Sequence, residues 1–179
     1  MTTKRILAFI AILIFFPTST NTIQVCLFSI PNREMICTEN CNDLFEDAVQ
    51  IIKESEGWHT QKHHPYVGYG HKLTLKDTFN HNISEEFADQ LLRKDLQQKC
   101  SVFRQLGKDS LLLGVLAYNV GEYTLLGHKD KPTSKLIKKL KSGDRDIYNE
   151  YVSFCRYRGK IIPSIQRRRQ REYDILYNK

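Results

Sequence analysis

Glu56 is the side chain in this sequence best placed to do chemistry. Gly57 follows it and stops a helical pattern, so Glu56 falls at a helix's last turn. The helix dipole puts partial negative charge there, and the neighbouring Trp58 is large and apolar. Unfavourable dipole interaction and desolvation both favour the uncharged carboxyl group. A carboxylic acid kept protonated near neutrality is a proton donor. The Gly-rich, histidine-bearing stretch Val67-Gly68-Tyr69-Gly70-His71 follows soon after. Taken alone this is a weak motif. Glu54, two residues from Glu56, points to a different helix face and reads as solvated. His59, His63 and His64 raise the question of zinc, but adjacent histidines in a turn splay apart and no acidic ligand lies nearby, so no metal and no cofactor are expected. Trp58, Tyr66 and Tyr69 offer flat aromatic faces, for stacking on a ligand or for packing.

Several elements must position these groups. From Asp43 the pattern is helical: Asp43 is a capping residue with Glu46 three later, and Leu44, Ala48, Ile51 and Ile52 recur at helical spacing. Residues 57–71 read as a small β hairpin. Ser84 caps the longest predicted helix, with Glu85 and Glu86 in its first turn and Ala88, Leu91, Leu92, Leu96, Phe103 and Leu106 on its apolar face. The apolar run after Asp109, Leu111 to Ala117, predicts a helix buried on most sides. Residues 134–141, 144–155 and 163–176 complete the set, with Gly143 and Gly159 as stops and Pro163 at a helix's first position. There are no internal repeats.

The chain has 179 residues, 41% of them hydrophobic, enough for one domain with a core. At its start, Lys4 and Arg5 precede an apolar run over 6–16 and then small polar residues, which is the anatomy of a signal peptide over 1–22. The run is too short to span a bilayer, which needs about 20 apolar residues, so no stable membrane anchor is expected. Residues 23–42 form a leader whose role is not readable, and 43–179 the functional domain. Five cysteines, Cys26, Cys37, Cys41, Cys100 and Cys155, in an exported chain favour disulfides over zinc and leave one unpaired. Cys100 and Cys155 fall in separate predicted helices and are the candidate pair for a bridge. A net charge of +7 suits an anionic partner, and an exported chain meets wall polymers and lipid head groups before nucleic acid. The run Arg167-Arg168-Arg169-Gln170-Arg171 fans around several helix faces, as a solvated, salt-bridged surface does, and no nucleic-acid partner is expected.

Three segments read together resemble the phage-type lysozymes, which are endolysin-like glycoside hydrolases. Ile51-Ile52-Lys53-Glu54-Ser55-Glu56-Gly57 with Val67-Gly68-Tyr69-Gly70-His71 is similar to their Glu-Gly and hydrophobic-Gly-x-Gly-His signature. Ala117-Tyr118-Asn119-Val120-Gly121 resembles their central-helix motif, an aromatic followed by Asn-x-Gly. Phe154 to Lys160, Pro163, Arg167-Arg168-Arg169 and Glu172 resemble their C-terminal Gly-containing loop leading into an Arg-Arg-x-x-Glu helix. The likeness runs over residues 43–176, in matching order.

The resemblance implies a mostly helical α+β, lysozyme-like fold with a small β hairpin beside a helical lobe. It implies an enzyme that cuts peptidoglycan glycan strands between N-acetylmuramic acid and N-acetylglucosamine, with Glu56 as general acid. Tyr66, Tyr69, His71 and Asn119 become candidates for substrate binding. For His71 a structural or cleft-lining role, held by a carboxylate, is the expectation; for Asn119, bonding to substrate and capping the core helix both stay open. One departure stands out. The phage enzymes carry a second carboxylate and then a threonine in the hairpin, whereas here Tyr66 occupies the threonine position and no Asp or Glu occurs between Gly57 and Lys76. A lytic transglycosylase using one Glu as acid and then base is therefore the alternative to a hydrolase, and an inactive peptidoglycan-binding module a further one. Thr60, His59, His63, His64 or Asp77 are the residues left to hold a water. The expected setting is periplasmic or secreted, with a wall-spanning secretion or conjugation apparatus among the possible associates.

Overall fold

The computed structural model describes residues 39–177, with side chains from residue 43. The expected signal peptide, most of the leader and Cys26, Cys37 and Cys41 lie outside the described side chains. Helix α1 covers Glu39–Glu56, followed after a short 3-10 turn by strands β1 (Tyr66–Val67) and β2 (His71–Lys72). Helix α2 covers Glu85–Val102, a 3-10 segment spans Arg104–Asp109, and α3 covers Ser110–Val120. The short helices α4 (Glu122–Leu126), α5 (Lys135–Lys141) and α6 (Tyr148–Val152) lead to strands β3 (Arg156–Tyr157) and β4 (Lys160–Ile161), and α7 (Pro163–Leu176) ends the description. The result is the expected mostly helical α+β fold, with two antiparallel hairpins instead of one.

Apolar burial centres on α3, where Leu112, Leu113, Val115, Leu116 and Ala117 are fully buried. Helices α1, α2 and α7 pack around it. Gly114 lets α2 come close, since a methyl group there would overlap Cys100 Sγ. Ser84 caps α2 as expected, its hydroxyl accepting from the Phe87 N–H at 3.2 Å. Ser134 does the same for α5, accepting from Ile137.

Several expectations are corrected. Helix α1 begins four residues before Asp43, so Asp43 lies inside it and the domain includes the last of the leader. A residue inside a helix cannot cap, because the amide groups it would satisfy already have partners. Glu46, freed of a capping role, takes both ends of the Arg93 guanidinium at 2.6 and 2.7 Å. Helix α2 is no longer than α1, both having 18 residues, because Phe103 turns out of α-helical geometry. The helix expected over 144–155 shrinks to α6, since Asp144 turns its carboxylate back onto the Asp146 N–H. Cys100 and Cys155 are both free thiols, not a bridge. Cys100 is committed to the α2–α3 contact over Gly114, and burial pushes its thiol up to about 11.

Candidate active site

Helix α1 ends at Glu56, where the Gly57 N–H closes back on the Lys53 carbonyl at 3.0 Å. The carboxylate is a fifth exposed. It receives two donors: Arg168 Nη1 at 2.7 Å from α7, and Asn119 Nδ2 at 3.3 Å from the end of α3. Asn119 in turn accepts from Arg169 Nη2 at 2.6 Å. It is thus neither a helix cap nor a free donor; it links Glu56 to the charges behind it. Arg168 Nε donates to Glu172 at 2.9 Å, and the fully buried Glu172 also takes Arg169 and the Tyr151 hydroxyl. Burial works against the Arg168 charge, but the Glu172 and Glu56 carboxylates outweigh it and hold the guanidinium above its ordinary value.

The arginine run meets the solvated, salt-bridged surface expected of it only at Arg167 and Arg171, which are exposed; Arg168 and Arg169 are the correction. Arg169 is fully buried and Arg168 nearly so. Only Arg171, paired with the exposed Glu54, behaves as a surface ion pair. Arg168 and Arg169 are candidate-site residues that the sequence offers only as part of a motif. Their spacing to Glu172, four and three residues, was the available signal, because both reach one carboxylate on a helix.

The β1–β2 hairpin stands over the acid. A methyl built on Gly70 would lie 3.6 Å from the Tyr118 ring and 3.9 Å from Glu56 Cγ, so the hairpin passes beside the Glu56 side chain. Gly68 explains how the hairpin comes so near the helices: with φ of +59 it approaches α2 until an added methyl would be 2.7 Å from Ala88 Cβ. Tyr118 on α3 donates its hydroxyl to the Tyr69 carbonyl at 3.0 Å, fixing the hairpin's tip to the core helix.

His71 leaves the hairpin toward α2, where its Nδ1 meets Asp95 Oδ2 at 2.7 Å, with Asp77 3.6 Å from Nε2. The hydrogen bond to Asp95 raises the imidazole pKa, burial opposes it, and Asp77 adds to the rise. This is the carboxylate-held position expected of His71. Asp77 itself is occupied by the Thr74 N–H and hydroxyl, at 2.7 and 2.8 Å, and does not turn toward Glu56. Tyr69 is buried, its hydroxyl donating to Glu85 at 2.8 Å and Trp58 meeting it edge-on at 5.4 Å. Its ring packs, which removes it from the sugar-stacking candidates. Trp58, 41% exposed, spends its contact on Tyr69. What the structure sets against Glu56 is a guanidinium.

Tyr66 is 43% exposed, beside His59. Thr60 and His63 bond to each other, Thr60 N–H donating to His63 Nδ1 at 2.9 Å. A cleft of about 630 Å³ opens among Trp58, Thr60, His64 and His81, and Glu56 does not line it. Among the described residues no three His, Cys, Asp or Glu are grouped to hold a metal ion, and no helix is long and apolar enough to cross a membrane.

A helical domain whose first and last helices meet at one carboxylate under a glycine-rich hairpin has the build of a lysozyme-like glycosidase. The phage lysozyme family model matches residues 53–172, and the chain belongs to that family. A peptidoglycan-lytic activity goes with it in general, with the cell wall as its place of action. No curated protein matches the chain.

Proposed function

We propose that this protein is an exported muramidase that cuts peptidoglycan between N-acetylmuramic acid and N-acetylglucosamine, with Glu56 as the general acid. The observation that carries the reading is the position of Glu56: a partly exposed carboxylate at a helix end, against the hairpin backbone, fixed by Arg168 and Asn119. The Glu56 carboxyl proton passes to the glycosidic oxygen as the bond from that oxygen to the sugar C1 breaks. The carboxylate left behind has Arg168 and Asn119 already in place, so its negative charge forms where donors are waiting.

C1 must then be attacked. In hydrolysis the nucleophile is water, with its proton passing to a base. A second reading, internal transfer, uses the sugar's own 6-hydroxyl: its oxygen bonds to C1, Glu56 takes its proton, and the acid is restored. One observation favours this single-carboxylate route. The carboxylates around the hairpin are all engaged elsewhere, Asp77 by Thr74, Asp95 by His71 and Glu85 by Tyr69. Thr60, His59, His63 and His64 are the candidates for holding a water in the hydrolytic route.

Mass spectrometry of digested peptidoglycan separates the routes, since reducing ends mark hydrolysis and 1,6-anhydro ends mark internal transfer. A turbidity assay on purified walls tests the reading as a whole. Binding without clearing would replace it by an inactive peptidoglycan-binding module. The signal-like start supports a periplasmic or secreted site of action, and with it wall remodelling or the opening of a wall for a secretion or conjugation apparatus.

A further inference from the structure

Of the arginines within residues 43–177, five hold a carboxylate: Arg93, Arg145, Arg168, Arg169 and Arg171. Among the described residues Arg104, Arg156, Arg158 and Arg167 hold none, and all but Arg104 stand on the β3–β4 hairpin or the first turns of α7. Lys160 adds another unpaired cation to the hairpin. Arg156 donates only to the hairpin's own Gly159 carbonyl at 3.1 Å. The Arg158 guanidinium lies 5.3 Å from the centre of the Tyr157 ring, and Tyr157 is 60% exposed. Both strands are exposed throughout.

The backbone gives a second, independent observation. Tyr157 pairs with Lys160, which leaves Arg158-Gly159 as a two-residue turn with φ of 49 and 79. A turn of this type favours Asn, Asp or Gly at its first position, where a long side chain is sterically disfavoured. Apart from the exposed Tyr157 ring beside it, local folding thus gives no reason for an arginine at the tip. An unfavourable residue held at an exposed turn points to work done outside the fold.

The hairpin's place says what that work is. Glu54 pairs with Arg171 and Glu56 with Arg168, so α1 and α7 run antiparallel. The hairpin that feeds the start of α7 therefore emerges at the end of the molecule where α1 delivers Glu56. At most about 25 Å of chain separates the turn tip from Arg168. A glycan strand lying on Glu56 carries peptide stems as side branches, and their free carboxylates match the fork of an arginine.

We propose that the β3–β4 hairpin is a docking finger for the carboxylates of peptidoglycan stem peptides, an inference that rests on the peptidoglycan-cutting reading above. Arg156 and Arg158 take the carboxylates, Lys160 adds charge, and Tyr157 supplies the flat surface beside them.

The test is cosedimentation of the full chain carrying Glu56→Gln, which keeps the polymer intact, with and without Arg156→Gln, Arg158→Gln and Lys160→Gln together. The probes are intact sacculi, sacculi whose carboxylates have been converted to amides, and phosphatidylglycerol vesicles. The expected result is about tenfold weaker binding of the triple variant to intact sacculi. The parent hairpin should bind amidated sacculi as weakly as that variant does. Arg158→Gly alone should weaken binding without lowering the thermal midpoint, which a merely structural arginine would not do. Equal binding of both chains to intact sacculi overturns the proposal, and so does a loss confined to vesicles, which would assign the finger to a membrane surface. Wall clearing by the chain with Glu56 intact is scored separately: stem binding without clearing leaves the finger and removes the muramidase.

Discussion

Arg168 Nη1 stands 2.7 Å from Glu56 Oε1, across 112 residues of sequence. The same guanidinium bonds the buried Glu172 through Nε. One cation thus serves a carboxylate that is partly exposed and another that is fully buried. When Glu56 gives or takes a proton, Glu172 keeps Arg168 charged and in place, so the geometry around the acid does not depend on the acid's own charge.

Glu56→Gln should lower wall clearing at least about 100-fold, the scale of a lost general acid. The amide oxygen can still accept from Arg168 and Asn119, so the thermal midpoint should hardly move. A turbidity assay with a parallel melt checks both halves. Undiminished clearing would take Glu56 out of the reaction.

Arg168→Ala should destabilise by about 3 kcal/mol, because it strips one of two cations from the buried Glu172. Arg168→Lys keeps the charge and loses the fork, so it should unfold between the two and lower kcat more than it alters KM. Denaturant melts and steady-state kinetics on soluble glycan fragments read the outcomes. A lysine variant with unchanged kcat would show that Arg168 does not position the acid.

His71 has a raised pKa through Asp95, so its contribution to stability is fully present below the unfolded histidine value of about 6.5 and is lost as pH rises through the higher folded value. Asp95→Asn should therefore cost stability at pH 5.5, about 2 kcal/mol for a hydrogen bond to a charged group, and much less at pH 9. Melts of both proteins across that interval test it. A pH-independent difference would mean that the pair is not ionic.

Gly114→Ala should destabilise by about 1–3 kcal/mol by overpacking the α2–α3 contact. Adding Cys100→Ala should recover part of the loss, since it removes Sγ but not the Cys100 backbone atoms, which stand 3.1 and 3.2 Å from the new methyl. Additive losses in the double variant would place the strain elsewhere.

Much of this was readable from periodicity and punctuation. Ser84, Ser134 and Pro163 mark their helix starts and Gly57 marks the end of α1, because caps and stops are local chemistry. The acid's position at a helix end followed from the same signals. Its partners did not, because three successive arginines spread around a helix, and only the spacing of Arg168 and Arg169 to Glu172 marks which face turns inward. The β3–β4 hairpin reads in the sequence only as a Gly-containing loop for a different reason: two-residue strands have no alternation long enough to detect, and Gly159 reads as a helix stop unless Arg158 before it is taken as half of a turn. Cys100 looked like half of a disulfide because pairing by sequence takes no account of direction, and its thiol faces Gly114.

The sequence distance between Glu56 at the end of α1 and Arg168 in α7 also sets an order of events. A chain that emerges from its amino end presents Glu56 early and Arg168 late, so the acid exists before the groups that hold it. Synthesis in that direction leaves the Glu56–Arg168 pair unmade until nearly the whole domain is through, and a product truncated before α7 would carry the glutamate without its holder.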